Sequence, residues 1–393
     1  MQVVIVGGGV MGAATAWFLA KRHGIRALVL ERDLGYHLAS SARSVCAIRQ
    51  QFSTAINIRV SQASLHFYRD FAAQLELGAD APALGLTEPG YLYLSATAEG
   101  ASRLRAHQAL QQAHEVPTRL LEPEAMAARY PWMQVGDLTL GSLGISTATS
   151  GEGWFDGYAA LQGFRQAAVR LGVEFREATV RDFVVREDRV TAVCTGAGDQ
   201  VSADVVVLTA GAWSGALAGA VGVNLPVRAR KRDVFAVESS LHAPDAPLVI
   251  DPSGVWFRPE REPGVFFCGA PPRGEDADDL PLDTVDHGLF DEVIWPVLAA
   301  RVPAFDALKV RTSWAGYYEM NTVDHNGLVG AVAPYANLFT ACGFSGHGLQ
   351  QAPAVGRGLA ELIAAGGYQS LDLSPFRVSR LAEGAPLLEQ NVI

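Results

Sequence analysis

Residues 3–31 read VVIVGGGVMGAATAWFLAKRHGIRALVLE. The β-branched run Val3, Val4, Ile5 and Val6 precedes a cluster of glycines, helix-forming residues follow over 11–22, and a second apolar run at 27–30 ends on Glu31. This is strand, helix, strand. Gly7, Gly9 and Gly12 set out G-x-G-x-x-G where the first strand meets the helix, and Val10 and Met11 lie in the same turn. Missing side chains there let the chain turn tightly and let backbone N–H groups approach a pyrophosphate. Glu31 closes the second strand roughly 20 residues on, placed to accept hydrogen bonds from ribose hydroxyls, with Arg32 beside it. The alternative is an ordinary glycine turn with Glu31 as a surface charge, and the flanking strands and helix disfavour it.

A hydropathy window would read residues 3–20 as a signal peptide or membrane span, because the stretch is apolar and uncharged. No basic residue precedes it, Lys21 and Arg22 follow it, and its glycines belong to the fingerprint. A chain not integral to a membrane is the expectation. The 393 residues leave room for two domains, and 49% hydrophobic, 18% charged and 40 glycines describe a globular enzyme. A net charge of -10 argues against nucleic-acid or anionic-membrane partners. Cys46, Cys194, Cys268 and Cys342 are scattered without metal or disulfide spacing, so a reducing cytoplasm and no metal are expected.

Outside the fingerprint, apolar periodicity predicts a long helix over 61–77 and alternation a strand at 90–95; 98–113 and 123–130 read as polar helices, the latter stopped by Pro131, and 158–171 as another helix. Strand-like runs follow at 173–175, 178–185, 190–195 and 205–209. Between 227 and 269, short strands broken by Pro, Gly and Asp predict an antiparallel sheet. Residues 273–286 are acidic and read as a surface excursion, and 290–302 as a helix. The last third holds a strand at 338–341, the loop Gly343-Phe344-Ser345-Gly346-His347-Gly348, and a helix over 349–364.

That loop bears on the cofactor, since FAD and NAD both use the fingerprint. Free N–H groups at the start of the last helix suit the N1–C2=O edge of a flavin, which carries negative charge when reduced. Taken alone, the loop is equally a plain helix-start turn.

Together with the fingerprint, Ser40-Ser41-Ala42-Arg43-Ser44, Ala47-Ile48-Arg49, Ala210-Gly211-Ala212-Trp213 and the 343–348 loop resemble the D-amino-acid oxidase and sarcosine oxidase superfamily over nearly the whole chain. More narrowly, 48–53, 314–319, 343–353 and 372–376 resemble the FAD-dependent oxidoreductase-domain proteins that assist mitochondrial complex I assembly. The resemblance implies an α/β fold: a glutathione-reductase-like FAD-binding Rossmann domain (1–80, 145–225 and 320–393) with an interleaved substrate domain (81–144 and 226–319) on a large mixed, mostly antiparallel sheet. It implies that Ser41, Ala42, Arg43, Ser44, Ala47 and Ile48 run along the flavin. Val180, Ala210, Gly211, Trp213, Gly316, Gly343, Phe344, Ser345, Gly346, His347, Gly348, Leu349 and Gln350 complete the cofactor residues.

Arg49 is implied to hold a substrate carboxylate, which suits a guanidinium able to grip it with two parallel hydrogen bonds; unaided, the residue reads as a surface ion pair. D-arginine dehydrogenase is similar around Arg230-Lys231-Arg232 and Trp314-Ala315-Gly316, implying a carboxylate role for Arg232; an exposed basic cluster is the alternative. His347 is a candidate base or a loop-geometry residue. Tyr318, with Tyr317, Trp256 and Arg258, is a candidate for the substrate face or for core. Three departures from sarcosine oxidases matter. Gly316 stands where covalent-flavin enzymes have cysteine, so non-covalent FAD is expected. Gln350 and Phe267 stand near positions of lysines, which favours a dehydrogenase over an oxidase. The implied reaction is oxidation of the C–N bond of a small amino or N-methylamino acid by hydride transfer to flavin N5. The partners are a small carboxylate substrate and an acceptor left open among oxygen, a quinone and an electron-transfer protein. Oxidation of a 2-hydroxy acid and a non-catalytic assembly role remain alternatives.

Overall fold

The computed structural model describes residues 1–391, so the final two positions of the expected FAD domain lie outside the described residues. Val3–Val6 sits inside a six-stranded sheet, parallel to Leu28–Glu31 on one side and to Val205–Leu208 on the other. All four of its residues are buried, which explains why the strand is wholly apolar rather than alternating: Val3 and Ile5 pack under the helices, and Val4 and Val6 pack against the antiparallel strands Val180–Arg186 and Arg189–Thr195. Leu338–Cys342 extends the parallel order, Glu174–Glu177 flanks Leu28–Glu31, and Leu328–Ala331 closes the far edge as an antiparallel strand.

Val10–His23 starts at the glycine turn and stops at Gly24, whose left-handed φ of 66° lets its N–H cap the Ala20 carbonyl. The last helix, Gly348–Ala365, lies against it so closely that a Cβ on Gly356 would come 2.9 Å from Ala14 Cβ. Glycine therefore sets this helix spacing. Trp17, Phe67, Phe71 and Phe164 meet largely edge to face beneath these helices and anchor the first core.

The second large element is an eight-stranded sheet. Its longest pair joins Val227–Glu238 antiparallel to Lys309–Asn321, and its strands also come from Tyr91–Ser95, Thr118–Leu121 and Leu140–Gly144, well before the 227–269 region where an antiparallel sheet is predicted. Leu248–Ile250 against Tyr91–Ser95 is the parallel contact in an otherwise antiparallel order, so the mixed, mostly antiparallel sheet is present.

One local expectation changes. The helix predicted over 61–77 begins earlier and is broken, as Ala55–Arg69 and Phe71–Leu75, with Asp70 between them at φ -107°, ψ 24°. The 273–286 segment runs over the surface as expected and is tied down by Asp276, which pairs with Arg232 at 2.8 Å, and Asp278, which pairs with Arg230 at 2.9 Å. Among the described residues, no helix is long and apolar enough to cross a membrane.

Candidate functional site

The glycine turn, the short helix Ser40–Arg43, the strand Lys309–Asn321 and the loop 343–348 surround one cavity of about 460 Å³. At its first end the turn is built by glycine geometry. Gly7 has φ 99°, and a Cβ there would lie 2.5 Å from the Thr209 carbonyl oxygen. A Cβ on Gly12 would lie 2.0 Å from the Gly7 carbonyl oxygen, so this glycine serves the packing of helix on turn. Glu31 accepts from the Gly8 N–H at 2.7 Å and the Asp33 N–H at 3.1 Å. Burial raises its pKa, and these hydrogen bonds counter only part of that effect. Ser41 Oγ accepts from the Val10 N–H at 3.2 Å, so a polar side chain sits at the helix start where an anion would bind. Arg32 stacks on Trp213, 3.5 Å from the ring centre.

The opposite wall is tied on by backbone contacts. Arg43 Nη1 donates to Ala315 O at 2.7 Å, Trp314 Nε1 to Arg43 O at 2.9 Å, and Ser40 Oγ to Tyr317 O at 2.7 Å. Gly316 lines the cavity, and a Cβ there would sit 3.1 Å from Arg43 Cβ. No cysteine lines the cavity among the described residues.

At the other end Arg49 is 5% exposed and stacks on Phe52 at 4.0 Å. Its Nη1 donates to Gln51 O at 2.9 Å and its Nη2 to Asn391 O. Gln350 Oε1 accepts from the Arg49 backbone N–H at 2.8 Å. His347 is buried and neither ring nitrogen has a hydrogen-bond partner. Burial first, then the charge of Arg49, holds its pKa well below the usual range, so the ring is neutral. Tyr318 lies against Gly346, where a Cβ would come 2.4 Å from the ring, and this contact explains the glycine. Tyr91 and Trp256 line the same cavity.

Most expected residues meet here: Gly7, Gly9, Val10, Met11, Glu31, Arg32, Ser41, Arg43, Ser44, Ala47, Arg49, Val180, Ala210, Gly211, Trp213, Arg232, Gly316, Tyr318, Ser345, Gly346, His347, Gly348, Leu349 and Gln350 all line the cavity. Gly12, Ala42, Ile48, Gly343 and Phe344 do not. Ile48 and Phe344 are fully buried instead, Ala42 packs on the first core, and Gly343 supplies a φ of 75° to the loop. Arg232 is no exposed cluster residue: both terminal nitrogens bind Asp276, at 2.8 and 2.9 Å, and its guanidinium stacks 5.1 Å from the Tyr318 ring centre. That carboxylate already occupies the fork a substrate would need. Arg258 is buried between Trp154 and Phe267 and is not part of the lining.

Sequence reasoning missed Glu319. It lines the cavity between Gly211 and Gly348, burial pushes its pKa up to about 7, and it accepts from the Phe344 N–H at 3.4 Å. An acidic residue ending the apolar strand word 314–319 was the available signal.

A glycine turn at a helix start, with Glu31 at the end of the adjoining strand, fits an FAD dinucleotide. The model for FAD dependent oxidoreductases (DAO) matches residues 2–362. FAD-dependent oxidoreductase domain-containing protein 1 is 39% identical in both Xenopus laevis and Bos taurus, over 100% of this chain and 85% and 87% of those proteins. L-proline dehydrogenase from P. horikoshii superposes with a TM-score of 0.84 at 25% identity, covering 98% of each chain. The fingerprint, the cavity it shapes and full-length similarity to these relatives together place the chain in the DAO family of FAD-dependent oxidoreductases.

Proposed function

We propose that this chain carries out FAD-dependent oxidation of the C–N bond of a small amino or N-methylamino acid, as a dehydrogenase with dissociable FAD. Arg49 carries the reading. It is a buried cation on the cavity wall, two of its five guanidinium N–H groups hold backbone carbonyls, and the others have no protein acceptor among the described residues. A desolvated cation with free donors fits a carboxylate, whose burial would otherwise be costly.

When bound, FAD supplies the two-electron acceptor. Glu31, Ser41 and the glycine turn would hold its dinucleotide part, and the start of the Gly348–Ala365 helix would face the flavin. Arg49 fixes the substrate carboxylate and thereby the direction of the neighbouring C–H. Tyr91, Tyr318 and Trp256 keep the site dry, and neutral His347 adds no charge to repel an ammonium. The amino-acid dehydrogenase named above supports the substrate class. The absence of lysine from the described lining supports an acceptor other than oxygen, a quinone or electron-transfer protein, and the absence of cysteine supports dissociable FAD. Four free thiols fit the reducing cytoplasm we propose as its compartment.

The test is anaerobic bleaching of the flavin by a panel of amino, N-methylamino and 2-hydroxy acids. Bleaching by amino or N-methylamino acids supports the proposal. Bleaching by hydroxy acids alone transfers the site to alcohol chemistry, with His347 as base. No bleaching by any of them leaves the assembly role as the better reading.

A further inference from the structure

Arg49 is held by a segment 342 residues away in sequence, through the bond from Nη2 to the Asn391 carbonyl. We propose that residues 387–391 form a brace behind the substrate site, outside the cavity lining, and that Glu389 is the positioning residue that sets the Arg49 guanidinium; the inference rests on Arg49 being the carboxylate anchor.

The Glu389 carboxylate is fully buried and saturated with donors. One oxygen accepts from Ser53 N at 2.8 Å, Ser53 Oγ at 2.7 Å and Asn391 N at 3.1 Å. The other accepts from Thr54 Oγ1 and Asn57 Nδ2, both at 2.9 Å. None of these donors is Arg49. Glu389 thus offers a buried negative charge near Arg49 without occupying its fork, whereas Asp276 occupies both terminal nitrogens of Arg232. Its bond to the Asn391 N–H places the Asn391 carbonyl on Nη2, while Asn391 Nδ2 donates at 3.1 Å to Gln51 O, the same carbonyl that receives Nη1. The guanidinium is therefore bracketed by two carbonyls that are themselves cross-linked. Two fixed points and the Phe52 ring leave one orientation, with the remaining N–H groups free for a ligand.

The segment is rigidly held upstream as well. Leu387 N donates to Asp324 Oδ2 at 2.8 Å, Glu389 N to Asp324 O at 3.0 Å, and Asn326 Nδ2 to Leu387 O at 3.0 Å. Asp324 is locked in turn by Arg380 at 2.8 and 2.9 Å, both fully or nearly fully buried. These buried polar contacts run from Arg380 through Asp324 to the 387–391 segment and end at Arg49.

The test compares holoenzyme of the wild type, Glu389→Gln, Glu389→Asp and Arg49→Ala. Acetate is titrated into oxidised protein and read by the flavin absorbance, with chloride as the control for ionic strength, and amide hydrogen exchange is followed on peptides spanning 49–54 and 387–391. Glu389→Gln should weaken acetate about tenfold or more at unchanged FAD content, with Glu389→Asp recovering part of the loss. It should also raise exchange across 49–54, and Arg49→Ala should raise it across 387–391. Exchange at 49–54 unchanged by Glu389→Gln would overturn the proposal whatever acetate does. If acetate does not bind even to the wild type, the anchor reading of Arg49 fails, and the reciprocal exchange alone decides whether Glu389 positions that residue.

Discussion

The two ends of the cavity are built on different principles. The dinucleotide end is made by backbone and by neighbours in sequence: Gly7, Gly8, Gly12 and Glu31 act within one βαβ unit, and their function is room, φ and the Gly8 N–H bond that holds Glu31. The substrate end is made by side chains from Arg49, Tyr91, Tyr318, His347 and Gln350, with the Asn391 carbonyl, which approach only in the folded chain. At the first end Gly7 and Gly12 leave no room for an added Cβ against backbone oxygens; the second depends on the charge and orientation of Arg49.

Substitution should separate the two. Gly12→Ala should have the largest effect, because its Cβ would fall 2.0 Å from a backbone oxygen that cannot give way. A loss of several kcal/mol is expected, with little FAD-loaded protein recovered. Thermal unfolding and flavin content measure it, and a normal yellow protein would remove the steric account. Arg49→Ala comes next: fold and FAD should persist while substrate binding and flavin reduction together lose roughly 2–5 kcal/mol, with Arg49→Lys recovering only part because it lacks the planar fork. Anaerobic reduction rates against substrate concentration give the answer, and wild-type half-saturation in Arg49→Ala would contradict it. Glu31→Ala should weaken FAD by on the order of 1–3 kcal/mol, read from the FAD dissociation constant, with little change in reduction once saturated.

The smallest effect tests the carboxylate between the ends. Folding raises the Glu319 pKa from 4.5 to about 7, so the folded state favours the protonated form. Its contribution to stability is present below pH 4.5 and is lost as pH rises to about 7. Glu319→Gln should therefore flatten the stability of FAD-free protein over that window by at most about 1.4 kcal/mol per pH unit. Glu152, also raised to about 7 by burial, and His347, held low by burial, keep their own opposing slopes, so the readout is the change of slope on substitution rather than the slope that remains. Urea midpoints between those pH values measure it, and an unchanged slope would mean that Glu319 is ionised throughout.

This contrast also explains what the sequence could reveal. The fingerprint was legible because each glycine and Glu31 act on near neighbours at fixed spacing. The polar helix 98–113 and the strand before the 343–348 loop were legible for a related reason, through local composition. The break at Asp70 was not, since residues 61–77 keep apolar spacing across it and the helix stops for tertiary reasons. Nor could spacing show that Arg232 is neutralised by Asp276, that Phe344 turns inward, or that Asn391 reaches Arg49. Those facts depend on which segments the eight-stranded sheet and its surrounding loops bring together. Arg49 itself needed resemblance, since an isolated arginine reads as a surface charge.

The position of Val3–Val6 also governs how the protein can be made. One of its two sheet partners, Val205–Leu208, emerges from the ribosome long after it, on the order of ten to forty seconds later at ordinary synthesis rates. During that interval a fully apolar strand has an unpaired edge, which is the condition under which chains associate wrongly. Because the same strand leads into the dinucleotide turn, cofactor capture must wait for the pairing as well. Yield of active protein in a cell should therefore depend on chaperone supply and growth temperature more than on how much flavin is available.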